Sequence, residues 1–279
     1  MPAKAQGNRK SFINIQCTAF VRHIIQVAIR VGFLIPCRRG NYTGFQGFYS
    51  RYGFHGSSVR YVSSRAAEML GKPPQELKLI VCHMGNGSSI TAVDGGLSVD
   101  SSMGFTPLEG IPMGTRSGSI DPMICEFLVK MEGISISEVM DILNKKSGVL
   151  GVSGVSSDFR DIDQAAEAGN ERAQTALEIF ALAARKTIGS FAAVMGGCDA
   201  IVFTAGIGEN NTGIRKRVCR NLEYMGFELD LAKNQIRGEE AVISTDASAG
   251  KILVIPTNEE LVIALDTEAA VCGPQEASG

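Results

Sequence analysis

A chain of 279 residues with 44% hydrophobic and 20% charged residues has enough apolar material for one large or two smaller globular domains. Its formal net charge of −2 gives no electrostatic reason to expect nucleic acid or a membrane surface as partner. Seven dispersed cysteines, without a C-x-x-C pair or a zinc spacing, predict free thiols in a reducing, cytoplasmic setting rather than a disulfide framework.

Residues 1–50 stand apart: they hold seven Lys or Arg and no Asp or Glu, against 20 basic and 29 acidic residues downstream. Arg22, Gln26 and Arg30 recur at helical spacing beside an apolar face, as in an organelle transit peptide. The two arginines interrupt any run long enough to span a bilayer. A third reading makes this leader foreign to the fold that follows.

From Arg51 onward helix and strand patterns alternate. SSVRYVSSRAAEML (57–70) predicts a helix stopped by KPP. LKLIVCHM and SITAVDGG predict two strands around a short Gly-Asn-Gly-Ser turn, either an ordinary hairpin or a place where backbone N–H groups approach a phosphate. Residues 98–122, rich in Gly, Pro, Ser and Thr, predict an ordered loop. Two short helices closed by Gly133 and Gly148 follow, then a long helical region interrupted at Gly169 and ending at Gly196–Gly197. AIVFTAG is a buried-type strand, residues 214–230 a helix, KILVIPT a strand, and NEELVIALDTEAAVC a closing helix. The alternation predicts α/β layers with ligands bound where strands end in loops.

Three strands end in small polar turns: CHMGNGSS, FTAGIGENN and IPTNEE. One such turn means little, whereas three suggest a cleft lined by strand ends. No G-x-x-x-x-G-K-[ST] is present, and Asn211 stands where a Rossmann fingerprint needs its third glycine, which disfavours a dehydrogenase. His55, between Phe54 and Gly56, is either a packed core histidine or a functional one, and His83 at a strand end poses the same choice. Arg116, in a loop of Gly, Thr and Ser, suits bidentate contact with phosphate or carboxylate, or else bonds its own loop carbonyls. Thr257 and Glu260 have capping-box spacing, which leaves Glu259 free as an oxygen ligand of the kind Mg²⁺ prefers. Asp158 and Arg160 could form an ordinary surface ion pair.

Taken together, RYGFHGSS, CHMGNGSSITAVDGG, SVDSSMGFTPLEGIPMGTRSG, SGVLGVSGVSSDFRDI, FTAGIGENN and STDASAGKILVIPTNEELVIALDT resemble the acetate kinase family, in that family's order, from Arg51 to about Thr267. The resemblance implies an α/β fold of the actin-like ATPase class (sugar kinase/Hsp70/actin type, ribonuclease H-like). It implies transfer of phosphate from ATP to acetate, giving acetyl phosphate and ADP with Mg²⁺. His55 and Arg116 then match the positions that stabilise the transferred phosphoryl group. His83, Met84, Gly85, Asn86 and Gly87 match the phosphate-binding turn, so the hairpin would also be a cradle. Asp158, Phe159 and Arg160 match an adenosine-side contact; Gly206, Ile207, Gly208, Glu209 and Asn210 match the nucleotide loop; Glu259 matches the magnesium ligand. A homodimer built through this domain is the implied assembly.

The resemblance has gaps. The family's opening Asn-Gly-Ser turn, a carboxylate-site arginine and an aspartate have no counterpart in residues 1–50, and no Asp precedes Asp94. Val59 and Ser119 replace a histidine and an aspartate of the family pattern. The division this implies is a leader over 1–50, the family's second, nucleotide-binding domain over 51–256, and a C-terminal helix and tail over 257–279. An out-of-frame or foreign leader explains these gaps more economically than a transit peptide. The chain alone is then expected to show weak or no kinase activity, or to be a nucleotide-binding remnant. Propionate or butyrate kinase is the nearest alternative within the enzyme class, since one methylene discriminates by only about 1–3 kcal/mol.

Overall fold

The computed structural model of the protein describes residues 53–272. The leader over 1–50, with Arg22, Gln26 and Arg30, lies outside the described residues, as does the tail beyond Cys272.

A six-stranded mixed sheet organises the molecule. Its strands are β1 (Lys78–Met84), β2 (Ser88–Asp94), β3 (Leu97–Ser101), β4 (Ala200–Thr204), β5 (Ala241–Val242) and β6 (Lys251–Val254), in the order β3-β2-β1-β4-β6-β5. The β1–β2–β3 meander is antiparallel, while β1, β4 and β6 run parallel. The period-2 pleat divides the core in two. Ile80, Cys82 and Met84 of β1, Ile201 and Phe203 of β4, and Ile252 and Val254 of β6 face one cluster. Leu79, Val81, Ala200, Val202, Leu253 and Ile255 face the other.

Helix α1 (Gly56–Leu70) covers the second face through Val59, Val62, Ala66 and Ala67, and Gly71 stops it in the left-handed conformation at φ 63°. The peripheral pair α2 (Met123–Glu132) and α3 (Ile136–Lys145) is followed by the short α4 (Gly148–Ser153). The first face is covered by α5 (Phe159–Glu167) and the long α6 (Glu171–Met195), joined through Gly169 as the sequence predicts, and by α8 (Thr212–Cys219). The one-turn α7 (Ala205–Asn210) links β4 to α8, and α9 (Glu259–Cys272) closes the described chain. Helix α9 lies on α1, with Val262 buried and a two-pronged Arg60–Asp266 pair at 2.9 and 2.8 Å.

Four local expectations need correction. Residues 97–101 are strand β3, because the hairpin hydrogen bonds extend the meander past Gly95–Gly96. Helix α3 ends at Lys145, and Gly148 instead opens α4; its left-handed backbone (φ 61°) passes so close to Met113 O that a Cβ would sit 2.1 Å away. The helix predicted over 214–230 stops at Cys219: Asn221 turns left-handed (φ 64°), and Arg185 takes the carbonyls of Arg217 and Val218. The Thr257–Glu260 capping box does not form, since Asn258 Oδ1 accepts from Leu261 N at 3.0 Å and Thr257 is engaged elsewhere.

Candidate active site

Parallel pairing puts three strand ends side by side. His83 of β1 registers with Thr204 of β4, and Phe203 with Val254 of β6, so all three glycine- or threonine-bearing turns open at one edge. This is the crevice position at which parallel α/β sheets hold ligands.

The first wall is a pair of imidazoles. His55 caps the N-terminus of α1 and His83 ends β1 on the face that α1 covers, so their rings stack at 3.9 Å with 13° between planes. Each ring is tied to a serine: His55 Nδ1 to Ser89 Oγ at 3.0 Å, and His83 Nδ1 to Ser58 Oγ at 2.9 Å. Burial lowers the pKa of both. For His55 the Arg116 cation adds to the effect; for His83, beside His55, the value falls to about 3. Both rings are therefore neutral at pH 7.

The second wall is the Met84–Ser88 turn. Gly85 N donates to Gly87 O at 3.2 Å, and Ser88 Oγ to Gly85 O at 2.9 Å. A Cβ on Gly87 would stand 3.2 Å from Arg116 Nη1 and 3.5 Å from His55 Nε2. The glycine thus leaves open a small space on which a guanidinium, an imidazole and a backbone turn converge. Arg116 is half-buried and meets no carboxylate among the described residues; its guanidinium hydrogen-bonds Met113 Sδ at 3.6 Å. An uncompensated, partly desolvated guanidinium beside two neutral imidazoles is suited to an anion. Ser119, the substituted position, closes this loop on Gly110 by two hydrogen bonds of 2.9 and 3.0 Å.

Beyond the turn lies a cleft of about 1300 Å³ lined by Gly85, Asn86, Asp158, Phe159, Arg160, Gly206, Ile207 and Asn210. Asp158 is the N-cap of α5, accepting from Arg160 N at 2.9 Å, and it also pairs with the Arg160 guanidinium at 2.6 Å. The hydrogen bonds and charge of Arg160 pull the Asp158 carboxyl down to about 2. Phe159 is buried edge-to-face on Phe180 at 4.8 Å and fixes the cleft floor. Met84 and Gly208 do not face the cleft: the Met84 side chain is fully buried in the core, and Gly208 packs 3.3 Å (ideal Cβ) from the Phe203 backbone.

Sequence reasoning missed several residues that hold this site. Arg215, fully buried, donates to Gly208 O and Glu209 O at 2.8 Å each, and to Asn234 and Ile236 on the next segment. Asn211 caps α8 and donates to Asp163 Oδ2 at 2.5 Å; Asp163 lines the cleft, and burial raises its pKa. Thr257 N donates to Glu209 Oε1 at 3.0 Å, and Thr257 Oγ1 to Ser58 Oγ at 2.8 Å. Asn211 gave a signal as the residue that broke the glycine fingerprint, and Thr257 one as half of a capping-box spacing; Arg215 and Asp163 gave none.

The donor chemistry accommodates a magnesium ion of one kind. Among the described residues no cluster of three His, Cys, Asp or Glu forms a metal cage. Glu259, at the first position of α9 and half-buried, has no hydrogen-bond or ion-pair partner among them. A single carboxylate without such a partner fits an ion that takes waters and other oxygens as its remaining ligands.

A family model described as the acetokinase family matches residues 15–265. The chain is 62% identical over 224 residues to an acetate kinase of Caldanaerobacter subterraneus subsp. tengcongensis, covering 80% of this chain and 56% of that one. Among solved structures it is similar to an acetate kinase of Porphyromonas gingivalis (TM-score 0.77, 49% identity, covering 78% of this chain and 55% of that one). It is also similar to a propionate kinase of Francisella tularensis (TM-score 0.72, 46% identity, 77% and 54%). The chain spans about half the length of the curated relatives it matches. The mixed sheet with helices on both faces is the actin-like ATPase fold shared with these kinases.

Proposed function

Because this chain belongs to the acetokinase family, we propose that it carries the phosphoryl-transfer site of an acetate kinase, moving the terminal phosphate between ATP and acetate to give acetyl phosphate and ADP. The observation that carries the reading is the Gly87 space. Arg116 Nη1 and His55 Nε2 stand 3.2 and 3.5 Å from a Cβ that Gly87 lacks, at the mouth of a cleft large enough for a nucleotide.

Phosphoryl transfer asks a protein mainly for in-line positioning and for neutralisation of charge on the equatorial oxygens. Arg116 supplies a fixed cation whose fork matches those oxygens. His55 is held by Ser89 and the His83 ring and adds a neutral donor. The Gly85–Gly87 turn brings backbone close to the phosphate, while the loop of Gly206, Ile207, Glu209 and Asn210 and the Asp158–Arg160 corner hold the nucleoside side. Mg²⁺, held through Glu259, would neutralise charge on the polyphosphate. No covalent protein intermediate is required. Acetate is preferred to propionate as substrate on the names of the closer relatives; a soluble homodimer in the cytoplasm is the proposed setting. No helix among the described residues is long and apolar enough to cross a membrane.

The test pairs calorimetric titration of the 279-residue chain with Mg-ATP and a hydroxamate assay for acetyl phosphate. Binding with turnover is expected from a working site, and binding without turnover identifies a nucleotide-holding module. Absence of both overturns the proposal.

A further inference from the structure

Two hydroxyls line up behind the His83 ring. Thr257 Oγ1 donates to Ser58 Oγ at 2.8 Å, and Ser58 Oγ lies 2.9 Å from His83 Nδ1. A serine hydroxyl has a single proton to give. Ser58 Oγ has His83 Nδ1 and Thr257 Oγ1 as its side-chain partners, so the arrangement that uses both hydroxyl protons has Thr257 donating to Ser58 and Ser58 donating to Nδ1. Ser58 is fully buried and His83 nearly so, so solvent does not compete for these groups. The same threonine donates its backbone N–H to Glu209 Oε1 at 3.0 Å. Ser58 and Glu209, 199 and 48 positions away in the chain, thus meet at one residue, Thr257.

We propose that Ser58 and Thr257 are positioning residues that hold His83 as its Nε2–H tautomer and fasten the nucleotide loop, through Glu209, to the same frame. The proposal deepens the phosphotransferase reading, on which its purpose rests. The stacked His83 ring fixes the plane of His55, whose Nε2 borders the Gly87 space. Motion of the nucleotide loop therefore reaches the imidazole pair through three hydrogen bonds: Glu209 to the Thr257 N–H, Thr257 Oγ1 to Ser58, and Ser58 to His83. A neutral ring of fixed tautomer needs no proton shuffling as charge develops nearby.

The experiment uses the full chain labelled with ¹⁵N-histidine, in which three histidines report. Long-range ¹H–¹⁵N correlation at neutral pH distinguishes the two tautomers, and His83→Asn assigns the signal. Wild-type protein is expected to show His83 with bare Nδ1 and protonated Nε2. Ser58→Ala removes the donor and should produce a tautomer mixture. Thr257→Val should shift the signal part of the way, while Thr257→Ser, which keeps the hydroxyl, should restore it; this pair covers the case in which Ser58→Ala fails to fold. Calorimetry with Mg-ADP adds a second readout: Thr257→Val is expected to weaken binding about three- to tenfold and Thr257→Ser to leave it near wild type. Protonated Nδ1 in the wild type, or an unchanged tautomer in both Ser58→Ala and Thr257→Val, overturns the proposal. The expected tautomers without any nucleotide binding would sustain the relay while refuting the phosphotransferase reading.

Discussion

Gly87 and Gly148 show how one residue type serves two different purposes. At Gly87 the backbone is unexceptional, and an added methyl group would meet the tips of Arg116 and His55. Gly87→Ala should therefore leave thermal stability within about 0.5 kcal/mol of wild type, as for a substitution outside the core. Mg-ATP affinity, read by calorimetry, should fall tenfold or more because the methyl group would occupy the space between Arg116 and His55 in which the proposed phosphoryl group sits. At Gly148 the φ is 61° and a Cβ would meet backbone, at 2.1 Å from Met113 O and 2.6 Å from Arg116 O. Gly148→Ala should cost about 2–5 kcal/mol in chemical denaturation, by adding a left-handed penalty to overpacking. His83 makes a separate prediction about pH. Its pKa falls from 6.5 to about 3 on folding because burial disfavours the imidazolium. The unfolded chain thus binds the extra proton first, and the contribution is complete above pH 6.5 and lost as pH falls from there toward 3. Unfolding free energy should rise with pH through that window, falling as the solution is made more acid, and His83→Asn should flatten the slope by up to one proton relative to wild type. Parallel curves would rule this out.

At the scale of elements, what the sequence discloses depends on whether a signal is local. Apolar runs place β1, β4 and β6, and Gly71, Gly169 and Gly196 mark helix ends, because backbone conformation and burial leave traces in neighbouring residues. Helix α8 ends early for a nonlocal reason: Arg185, more than thirty residues upstream, takes its last carbonyls. Thr257 matches a capping box in spacing but is drawn to Ser58 and Glu209 by strand register, so Asn258 caps instead. His55, Arg116 and the Gly85–Gly87 turn were legible as motifs, whereas the serines orienting the imidazoles were not. Arg215 is the strongest nonlocal element contact. Its guanidinium makes five hydrogen bonds that join the end of α7 to residues 234–236. Burial lowers its pKa to about 10, which still leaves it charged at pH 7. Arg215→Ala would strand buried carbonyls and should destabilise the fold by about 3–5 kcal/mol in urea denaturation. It should also loosen Gly208 and Glu209 enough to weaken nucleotide binding in the fraction that remains folded. A variant as stable as wild type would mean that the carbonyls find water, and the loop is held by something else.

For the whole molecule, the distribution of apolar surface raises the question of assembly. Helix α2 contributes no buried residue, yet Met123, Phe127 and Met131 on it are 61, 59 and 66% exposed, with Ile136 at the start of α3 at 55%. Single exposed apolar residues need no explanation, but several large ones on one helical hairpin exceed what a solvated face ordinarily carries. No residue of the hairpin lines the cleft. A two-fold partner presenting the same hairpin would bury the same side chains on both copies, the commonest closed arrangement for a homo-oligomer. We therefore predict a dimer by sedimentation equilibrium at micromolar concentration, and a monomer after Phe127→Glu combined with Met131→Glu. Because neither side chain contributes to the core, the charged variant should keep its helical signal and its melting behaviour apart from concentration dependence. A wild-type chain that sediments as a monomer at every concentration tested would remove this face as the interface. A dimer that survives both charges would locate the interface on another surface.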